Sequence, residues 1–526
     1  MDLTLWILTV GWIFVLLWVP FIIYTNRKTH PKALFVLFFA EMWERFSYYG
    51  MRALLVLYMT KVLFIDMAQS AAEVKSYAIY GSYTAMVYLF PVLGGMVADK
   101  YLGFRKTIIW GGFLMVLGHF ALGFQAFGDL EGNMPMFFGA LGLIIVGNGF
   151  FKPNVSSFLG EFYETDDPRK DGAFSIFYMG VNIGSFLAIL TCGYVGQNIN
   201  WHYGFGLAGI GMLIGLLVFW AFAKGFGEKG LEPQEVKDGS VKIFGTKPAV
   251  SVIVLSLLAI PICALMLNLN EVMSTLLLVI SVFIVGYIIY HALKSDDKVE
   301  GQRLLVVVVL FFFHAVFWAL FEQAGGSLTI FIEKNVDRSF LGTVLPSSIF
   351  QSFNPLFIIL LAPLFSFMWL RLNKAKKEPS TPMKFVLGLG LLAFGFAIIV
   401  LGAKYFPNNE GLISVVFIAL MYLFHTMGEL SLSPVGLSMV TKLSPNKIVG
   451  FVMGAWFLSI SIGNKMAGWI GSLTASESVA EGAHPTETLS VYADTYLTWG
   501  VFVVAGATLI LLLLVPTLRK WMHGIH

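Results

Sequence analysis

Charge is the scarcest thing in this chain. Of its 526 residues only 12% are Asp, Glu, Lys or Arg, against about a quarter in an average soluble protein, while 57% are hydrophobic and 15% aromatic. A mean hydropathy of +0.79 over the full length leaves no polar coat for a globular core. A soluble enzyme, a nucleic-acid binder and a disordered regulator are excluded together. Neither sign of charge dominates: 34 basic and 31 acidic residues give a net +3, so no bulk field selects nucleic acid or an acidic partner. Cysteine is nearly absent. Cys192 and Cys263 both fall in apolar runs and read as buried small hydrophobes, not as a disulfide or a metal site. CxxC, HExxH and Walker sequences are missing, so metal and ATP chemistry have no support and no cofactor is expected.

What the chain has instead is long hydrophobic runs, and crossing ~30 Å of hydrocarbon takes ~20 apolar residues. Runs stand at 3–24, 33–63, 76–98, 107–127, 135–160, 172–195, 203–223, 248–268, 273–293, 304–332, 345–370, 385–403, 411–440, 448–473 and 493–517. Fifteen spans, an odd number, put the termini on opposite sides of a bilayer. The first run does not read as a signal peptide: MDLTL has no basic n-region and no small-residue cleavage site follows. Arg27, Lys28 and Lys32 follow it as a stop-transfer flank. With that flank on the cytoplasmic side, alternation leaves 25 Lys and Arg in cytoplasmic segments and five, Lys61, Lys75, Lys334, Arg338 and Lys404, on the other side. The positive-inside rule therefore predicts an outside N-terminus and a cytoplasmic C-terminus. The longest loops, 224–247 and 474–492, are too short to house a catalytic domain.

An internal repeat is legible by offset. Gly147-Asn-Gly-Phe-Phe-Lys-Pro153 aligns with Gly428-Glu-Leu-Ser-Leu-Ser-Pro434 at 281 residues. Tyr178-Met-Gly-Val-Asn-Ile-Gly184 aligns with Phe457-Leu-Ser-Ile-Ser-Ile-Gly463 at 279, and Glu44-Arg45 with Glu322-Gln323 at 278. The segmentation that follows is an extra N-terminal helix with its basic linker (1–32), a six-helix bundle (33–224), a linker with an inserted helical pair (225–303) and a second six-helix bundle with the tail (304–526). This predicts an all-α polytopic membrane protein with the major facilitator fold, built of two related six-helix halves.

A charge near the centre of a membrane helix costs about 2.5–3.5 kcal/mol on insertion scales and is rarely idle. The span 33–63 carries Glu41, Glu44, Arg45 and Arg52. At 100° per residue, positions 41, 45, 48 and 52 lie within about 60° of one another, a polar stripe facing the bundle interior. Counted from the span edges, Arg52 and Glu322 share one depth, and Lys152 and Glu429 another. These are two candidate salt-bridge layers, Arg52–Glu322 as outer gate and Lys152–Glu429 as inner gate. A carboxylate in low dielectric is easily neutralised, which suits it to carry a proton. Lys465 has no partner nameable from sequence and reads as a lysine snorkelling from near a helix end. His119, His314 and His425 read as packing residues.

EMWERFSYYG (41–50) contains ExxERFxYYG, which resembles the first-helix motif of the proton-dependent oligopeptide transporter family. GGMVADKYLGFRKT (94–107), FFKPNVSS (150–157), FSIFYMGVNIGSF (174–186), FWALFEQAGGS (317–327) and GELSLSPVG (428–436) extend the resemblance from about 33 to 520. It implies that Arg45, Arg52 and Lys152 lie near a peptide carboxylate or the gates, and that Glu429 meets the peptide amino group and pairs with Lys152. It further implies that Glu322 pairs with Arg52 and that Glu41 and Glu44 take part in proton coupling, together with Glu322 and Glu429. Tyr49, Tyr88, Asn182, Trp318, Asn354 and Trp456 match positions lining the pocket. One departure stands out: Gly81 occupies the place where animal members carry a helix-2 histidine, so coupling cannot use a histidine there. A large outer domain of animal members is also missing, only KYFPNNEG (404–411) standing in its place, which points to a bacterial member.

The expected function is a proton-coupled symporter importing di- and tripeptides by alternating access in a bacterial inner membrane. Its partners are peptides, protons and the lipid bilayer, it binds no nucleic acid, and it functions as a monomer. The rival readings are a carrier of the same fold for nitrate, another small anion or a drug, and a membrane-embedded enzyme. A small anion needs no acid for an amino group, and an enzyme needs a catalytic cluster at a membrane face.

Overall fold

In hydrocarbon, every backbone N–H and C=O must find a partner within the protein, which favours continuous helices. The computed structural model describes residues 3–127, 130–164, 167–445, 447–475 and 485–525, and it is helical nearly throughout. The helices are α1 (Leu3–Asn26), α2 (Lys32–Tyr58), α3 (Gln69–Leu89), α4 (Pro91–Val97), α5 (Gly103–Phe124), α6 (Met134–Gly160), α7 (Lys170–Asn198) and α8 (Trp201–Phe222). A short α9 (Gln234–Lys237) precedes α10 (Pro248–Asn268) and α11 (Asn270–Lys294). Then come α12 (Lys298–Phe321), α13 (Ser327–Asn335), α14 (Phe353–Lys374), α15 (Thr381–Tyr405), α16 (Val415–Leu443), α17 (Val449–Ser472), α18 (Pro485–Thr495) and α19 (Val504–Trp521).

Twelve described helical stretches are long and apolar enough to cross a membrane, and one of them, Gln69–Phe124, covers two expected spans. The remaining two expected spans fall on α2 and α17, helices of 27 and 24 residues. Part of the loop 474–492, residues 476–484, lies outside the described residues. The only strands described are two-residue pairs. Val336–Asp337 lies parallel to Ile413–Ser414, and Ser339–Phe340 antiparallel to Thr343–Val344.

Two expectations need correction. The span 304–332 is not one helix: α12 ends at Phe321, a 3-10 turn occupies Glu322–Gly325, and α13 starts at Ser327. The Gly325-Gly326 pair supplies the break, since glycine gains least from staying helical. Its start is also early, at Lys298, because Asp297 caps it by accepting from the Val299 N–H at 2.8 Å. Hydrophobicity marks where a helix enters lipid, whereas the cap sets where it begins.

The described chain gathers into two compact units. The first comprises Met1–Leu63, Leu89–Asn268 and Ser339–Pro355; the second comprises Phe64–Tyr88, Leu269–Arg338 and Leu356–His526.

In the first unit, α7 carries a small residue at every fourth position: Gly180, Gly184, Ala188, Cys192 and Gly196. That spacing puts all five on one face, and in a membrane small faces let backbones approach. The approach here is to α2. A Cβ on Gly184 would stand 2.0 Å from the Met42 carbonyl oxygen, one on Gly180 would meet the Phe38 ring at 2.8 Å, and one on Gly196 would meet Leu54 at 2.4 Å. Cys192 is wholly buried, and its Sγ would stand 2.6 Å from a Cβ on Gly50. Cys192 and Cys263 are both buried free thiols. The extra helix α1 lies on the same α7, burying Val15, Val19 and Ile22 and donating the Trp12 indole N–H to Thr191 Oγ1 at 3.0 Å. Its other side, with Leu16 and Leu17, is exposed and apolar, as a lipid-facing side should be.

The internal repeat reappears as packing geometry. In the first unit α5 and α6 cross at Gly111 and Gly147, where a Cβ on either would lie 2.6–2.7 Å from the other's carbonyl oxygen. In the second unit α15 and α16 cross at Gly388 and Gly428, with equivalent distances of 3.0 and 2.8 Å. Gly147 and Gly428 are the partners matched by the sequence offset. Gly463, the counterpart of Gly184, brings α17 against α12, where its Cβ would stand 2.7 Å from Trp318 Cβ.

Within the second unit, α3 is held by an ion pair of buried Glu73 with Lys334 and by Tyr77 meeting the Tyr492 hydroxyl at 3.4 Å. Here α3 crosses α17 at Gly81, whose Cβ would lie 3.0 Å from both the Asn464 carbonyl oxygen and Gly468 Cα. The departure at Gly81 therefore has a packing cause. A histidine there would force the two backbones apart.

Gly184→Ala is expected to destabilise the protein by about 1–3 kcal/mol through overpacking of the α2–α7 crossing, read as a lower melting temperature in detergent. Gly206→Ala, in the same unit but with nothing within 4 Å of its Cβ, is expected to leave the melting temperature unchanged or slightly raised.

Candidate functional site

The α7–α2 crossing presses directly on the charged stripe, since a Cβ on Gly184 would also lie 3.2 Å from Arg45 Cβ. Arg45 is fixed by two carboxylates of its own helix. Its Nη2 and Nε both reach Glu41 Oε1 at 2.8 Å, and its Nε lies 3.1 Å from Glu44 Oε2. Glu44 is fully buried, and Glu41 and Arg45 are 3% and 7% exposed. Charges so desolvated persist only when paired and hydrogen-bonded. The planar guanidinium can hold two acids at once where an ammonium would hold them less well.

Glu44 has one further partner: the Asn148 side-chain amide of α6 donates to its Oε1 at 2.8 Å. Asn148 is itself fully buried, and Lys152 follows it by one helical turn, on the same face of α6. The cluster Glu41–Arg45–Glu44–Asn148 is thus a connected polar network in an apolar bundle, with Glu41 Oε2, Glu44 Oε2 and Asn148 Oδ1 left without hydrogen bonds among the described residues and Lys152 next along the helix.

Further along α2, buried Arg52 lies over the Tyr49 ring, its guanidinium carbon 5.5 Å from the centroid, and Tyr49 packs edge-on to Tyr48 at 5.2 Å. Asn182 of α7 is buried and donates to the Tyr178 carbonyl of its own helix at 2.9 Å. Asn354 also belongs to this unit. It follows a 3-10 turn, Ser347–Ser352, that Gln197 of α7 holds by donating to Ser347 Oγ at 3.2 Å and accepting from the Ser348 N–H at 2.9 Å.

The other expected site residues, Tyr88, Trp318, Glu322, Glu429 and Trp456, belong to the second unit. The two tryptophans are brought together by a residue read from sequence as mere packing. His314 Nε2 accepts the Trp318 indole N–H at 2.8 Å, its Nδ1 lies 2.6 Å from Ser459 Oγ, and its ring stacks on Trp456 with centroids 4.3 Å apart. Indole N–H is only ever a donor, so Nε2 must carry the lone pair and Nδ1 the proton. Nδ1–H then donates to Ser459, whose hydroxyl in turn donates to the Trp456 carbonyl at 2.6 Å. The relay runs in one direction and requires neutral His314.

Glu322 lies at the break after α12 and is 3% exposed. Its neighbour Gln323 holds that break. The Gln323 amide donates to the carbonyls of Ala319 and Ala467, each at 3.0 Å, and its oxygen accepts from Ser327 at 2.6 Å. Gln323 is the repeat partner of Arg45, so one unit uses a neutral amide where the other uses a cation. Glu429 sits half-buried on α16, directly after the Gly388–Gly428 crossing.

Asn148, His314, Ser459 and Gln323 are the residues sequence reasoning left without a role. Asn148 and Gln323 did lie inside the aligned repeat segments, which was the available signal. Ser459 also lay inside an aligned segment, Phe457–Gly463, whereas His314 had no such signal. Lys465 is also corrected: it does not simply snorkel but donates to Ser82 Oγ at 2.7 Å and to the Asn270 side-chain oxygen.

Two helical units with buried charge networks, glycine crossings repeated between them and short connections define a polytopic membrane transporter of the major facilitator type. Comparison with known proteins narrows the class. Residues 105–487 match the POT family model, and the chain belongs to that family. It is 37% identical over 510 residues to the peptide transporter YePEPT of Yersinia enterocolitica, covering 94% of this chain and 96% of that one. It is 32% identical to dipeptide and tripeptide permease B of the same species over 95% and 97% of the two chains. Among solved structures, the peptide transporter POT in complex with sulfate superposes with a TM-score of 0.76 at 34% identity, covering 94% and 96%.

His314→Ala leaves a buried indole N–H without its acceptor, a loss of about 1–3 kcal/mol. It is expected to lower the melting temperature and shift tryptophan emission to longer wavelength, while His314→Gln, which can accept and donate, restores part of both.

Proposed function

We propose that this chain imports di- and tripeptides together with protons across a bacterial inner membrane by alternating access, with its C-terminus in the cytoplasm. The observation that carries the reading is the desolvated Glu41–Arg45–Glu44–Asn148 network, an acid pair whose charge state sets whether Arg45 is held or released. Relatives named as peptide transporters and as a dipeptide and tripeptide permease support the substrate class.

A short peptide is a zwitterion with amide bonds between its ends, and the residue types answer each part. Arg45, Arg52 and Lys152 supply cations for the carboxylate, and Glu429 supplies the acid for the ammonium group. Asn182 and Asn354 offer amides to the peptide bond. Tyr49, Tyr88, Trp318 and Trp456 wall the site without choosing among side chains. Fixed charges for the termini with an adaptable wall favour short length and broad sequence tolerance.

Proton binding acts on the same charges. Glu41, Glu44, Glu322 and Glu429 are the coupling carboxylates. Protonating Glu44 removes half of what holds Arg45, leaving the guanidinium available to an incoming carboxylate. Arg52–Glu322 closes the outer side and Lys152–Glu429 the inner side, and protonation of the acid or competition from a peptide terminus opens each. The bodies that rock are the six-helix halves 33–224 and 304–526. With Gly81 committed to the α3–α17 crossing, coupling rests on carboxylates.

The test is uptake of a labelled dipeptide into proteoliposomes under an imposed inward proton gradient. Accumulation above the outside concentration, collapsed by a protonophore, is expected; uptake indifferent to the protonophore would overturn the symport reading. Glu429→Gln and Lys152→Ala are each expected to reduce concentrative uptake at least about tenfold, a loss of about 1.4 kcal/mol or more, and wild-type accumulation in either would refute the inner gate. Glu44→Gln is expected to keep peptide exchange across the membrane while losing gradient-driven accumulation.

A further inference from the structure

Away from the charged stripe, the second unit contains a cavity of about 520 Å³ between α3, α11 and α17. Its size is that of a small-molecule site. Three features give it a specific chemistry. Lys465 of α17 lines it, with only the neutral Ser82 hydroxyl and Asn270 amide oxygen as partners, and among the described residues no carboxylate comes within 4.0 Å of its ammonium. Glu271 of α11 also lines it, exposed and without an ion pair among the described residues. Finally, α11 begins at Asn270 with no side-chain cap. A 25-residue helix therefore presents the unsatisfied N–H groups of its first turn beside the Lys465 ammonium.

The cavity thus holds one cation and one anion that lie within electrostatic reach of each other without forming a direct ion pair among the described residues, with a helix N-terminus next to the cation. Such a pair matches a ligand that is itself zwitterionic. Its anion accepts from Lys465 and the α11 amides, and its ammonium donates to Glu271 and to the Ser274 hydroxyl nearby.

The surroundings say which zwitterion. Along α11 the lining continues as Leu277 and Leu278, and Leu278 is 64% exposed. The rim on α17 is Trp469, 50% exposed and edge-on to Trp499 at 5.0 Å. Paired indoles at a helix end mark the depth of lipid headgroups. The lower wall is apolar and faces hydrocarbon, since only 22% of the most hydrophobic window of α11 is buried.

We propose that this cavity binds an ethanolamine phospholipid, with Lys465 and the α11 N-terminus taking the phosphate, Glu271 the ammonium, and one acyl chain lying along Leu277 and Leu278. A choline headgroup cannot donate the N–H bonds that Glu271 and Ser274 accept, and a glycerol headgroup brings no ammonium for Glu271. The lipid then fastens α11, half of the inserted pair, to α17.

The experiment is native mass spectrometry of the intact protein released from nanodiscs of equal phosphatidylethanolamine, phosphatidylcholine and phosphatidylglycerol content. The ethanolamine lipid is expected to be retained about tenfold over either competitor. Lys465→Gln and Glu271→Gln should each abolish that preference. Ser274→Trp, at an exposed position on the cavity wall, should do so by filling the space with the charges intact, and it decides the matter if Lys465→Gln fails to fold. Equal retention of the three lipids, preference for the glycerol lipid, or preference unchanged in Glu271→Gln and Ser274→Trp would overturn the proposal. So would displacement of the bound lipid by millimolar glycylalanine, which would assign the cavity to a soluble zwitterion.

Discussion

A guanidinium cannot stand alone in hydrocarbon, and the architecture of the first unit follows from that constraint. Arg45 survives on α2 because Glu41 and Glu44 flank it and because Asn148 satisfies Glu44 from a neighbouring helix. For Asn148 to reach, α6 must pack tightly in the bundle, and the Gly111–Gly147 crossing allows α5 and α6 to do so one residue away. For Arg45 to stay oriented, α7 must lie against it, and the stripe of small residues from Gly180 to Gly196 allows that too. Small residues and charged residues in this chain are two halves of one requirement. Close backbones exclude lipid from charges that could not tolerate it.

The second unit meets the same requirement with fewer charges. Gln323 takes the repeat position of Arg45 and uses an amide to fasten the break after α12. His314 orders Trp318 and Trp456 through a one-directional relay that only a neutral imidazole can sustain. The first unit therefore fixes its stripe with a rigid ionic cluster, whereas the second orders Trp318, Trp456 and the break after α12 through neutral partners.

Much of this was legible in the sequence. The spans, the repeat and the polar stripe rest on local regularities: hydrophobic length, offset and the 100° step of a helix. Helix breaks were less legible, because the Gly325-Gly326 interruption sits inside an otherwise apolar run. Lys465 was misread for a related reason. A lysine near a helix end has the same local appearance whether it reaches to water or to a serine and an asparagine nearly 400 and 200 residues away in the chain.

By itself, the sequence determined the class of the protein, the order of its long apolar helices, the stripe on α2 and the family. Each of these depends on residues close together along the chain, or on patterns strong enough to survive without partners. Only the tertiary structure decided which buried groups satisfy one another: Asn148 with Glu44, His314 with Trp318 and Ser459, Gln323 with Ala467, Lys465 with Ser82 and Asn270. Desolvation makes such pairing obligatory but does not choose the partner. The choice is made by which glycine faces let which helices touch.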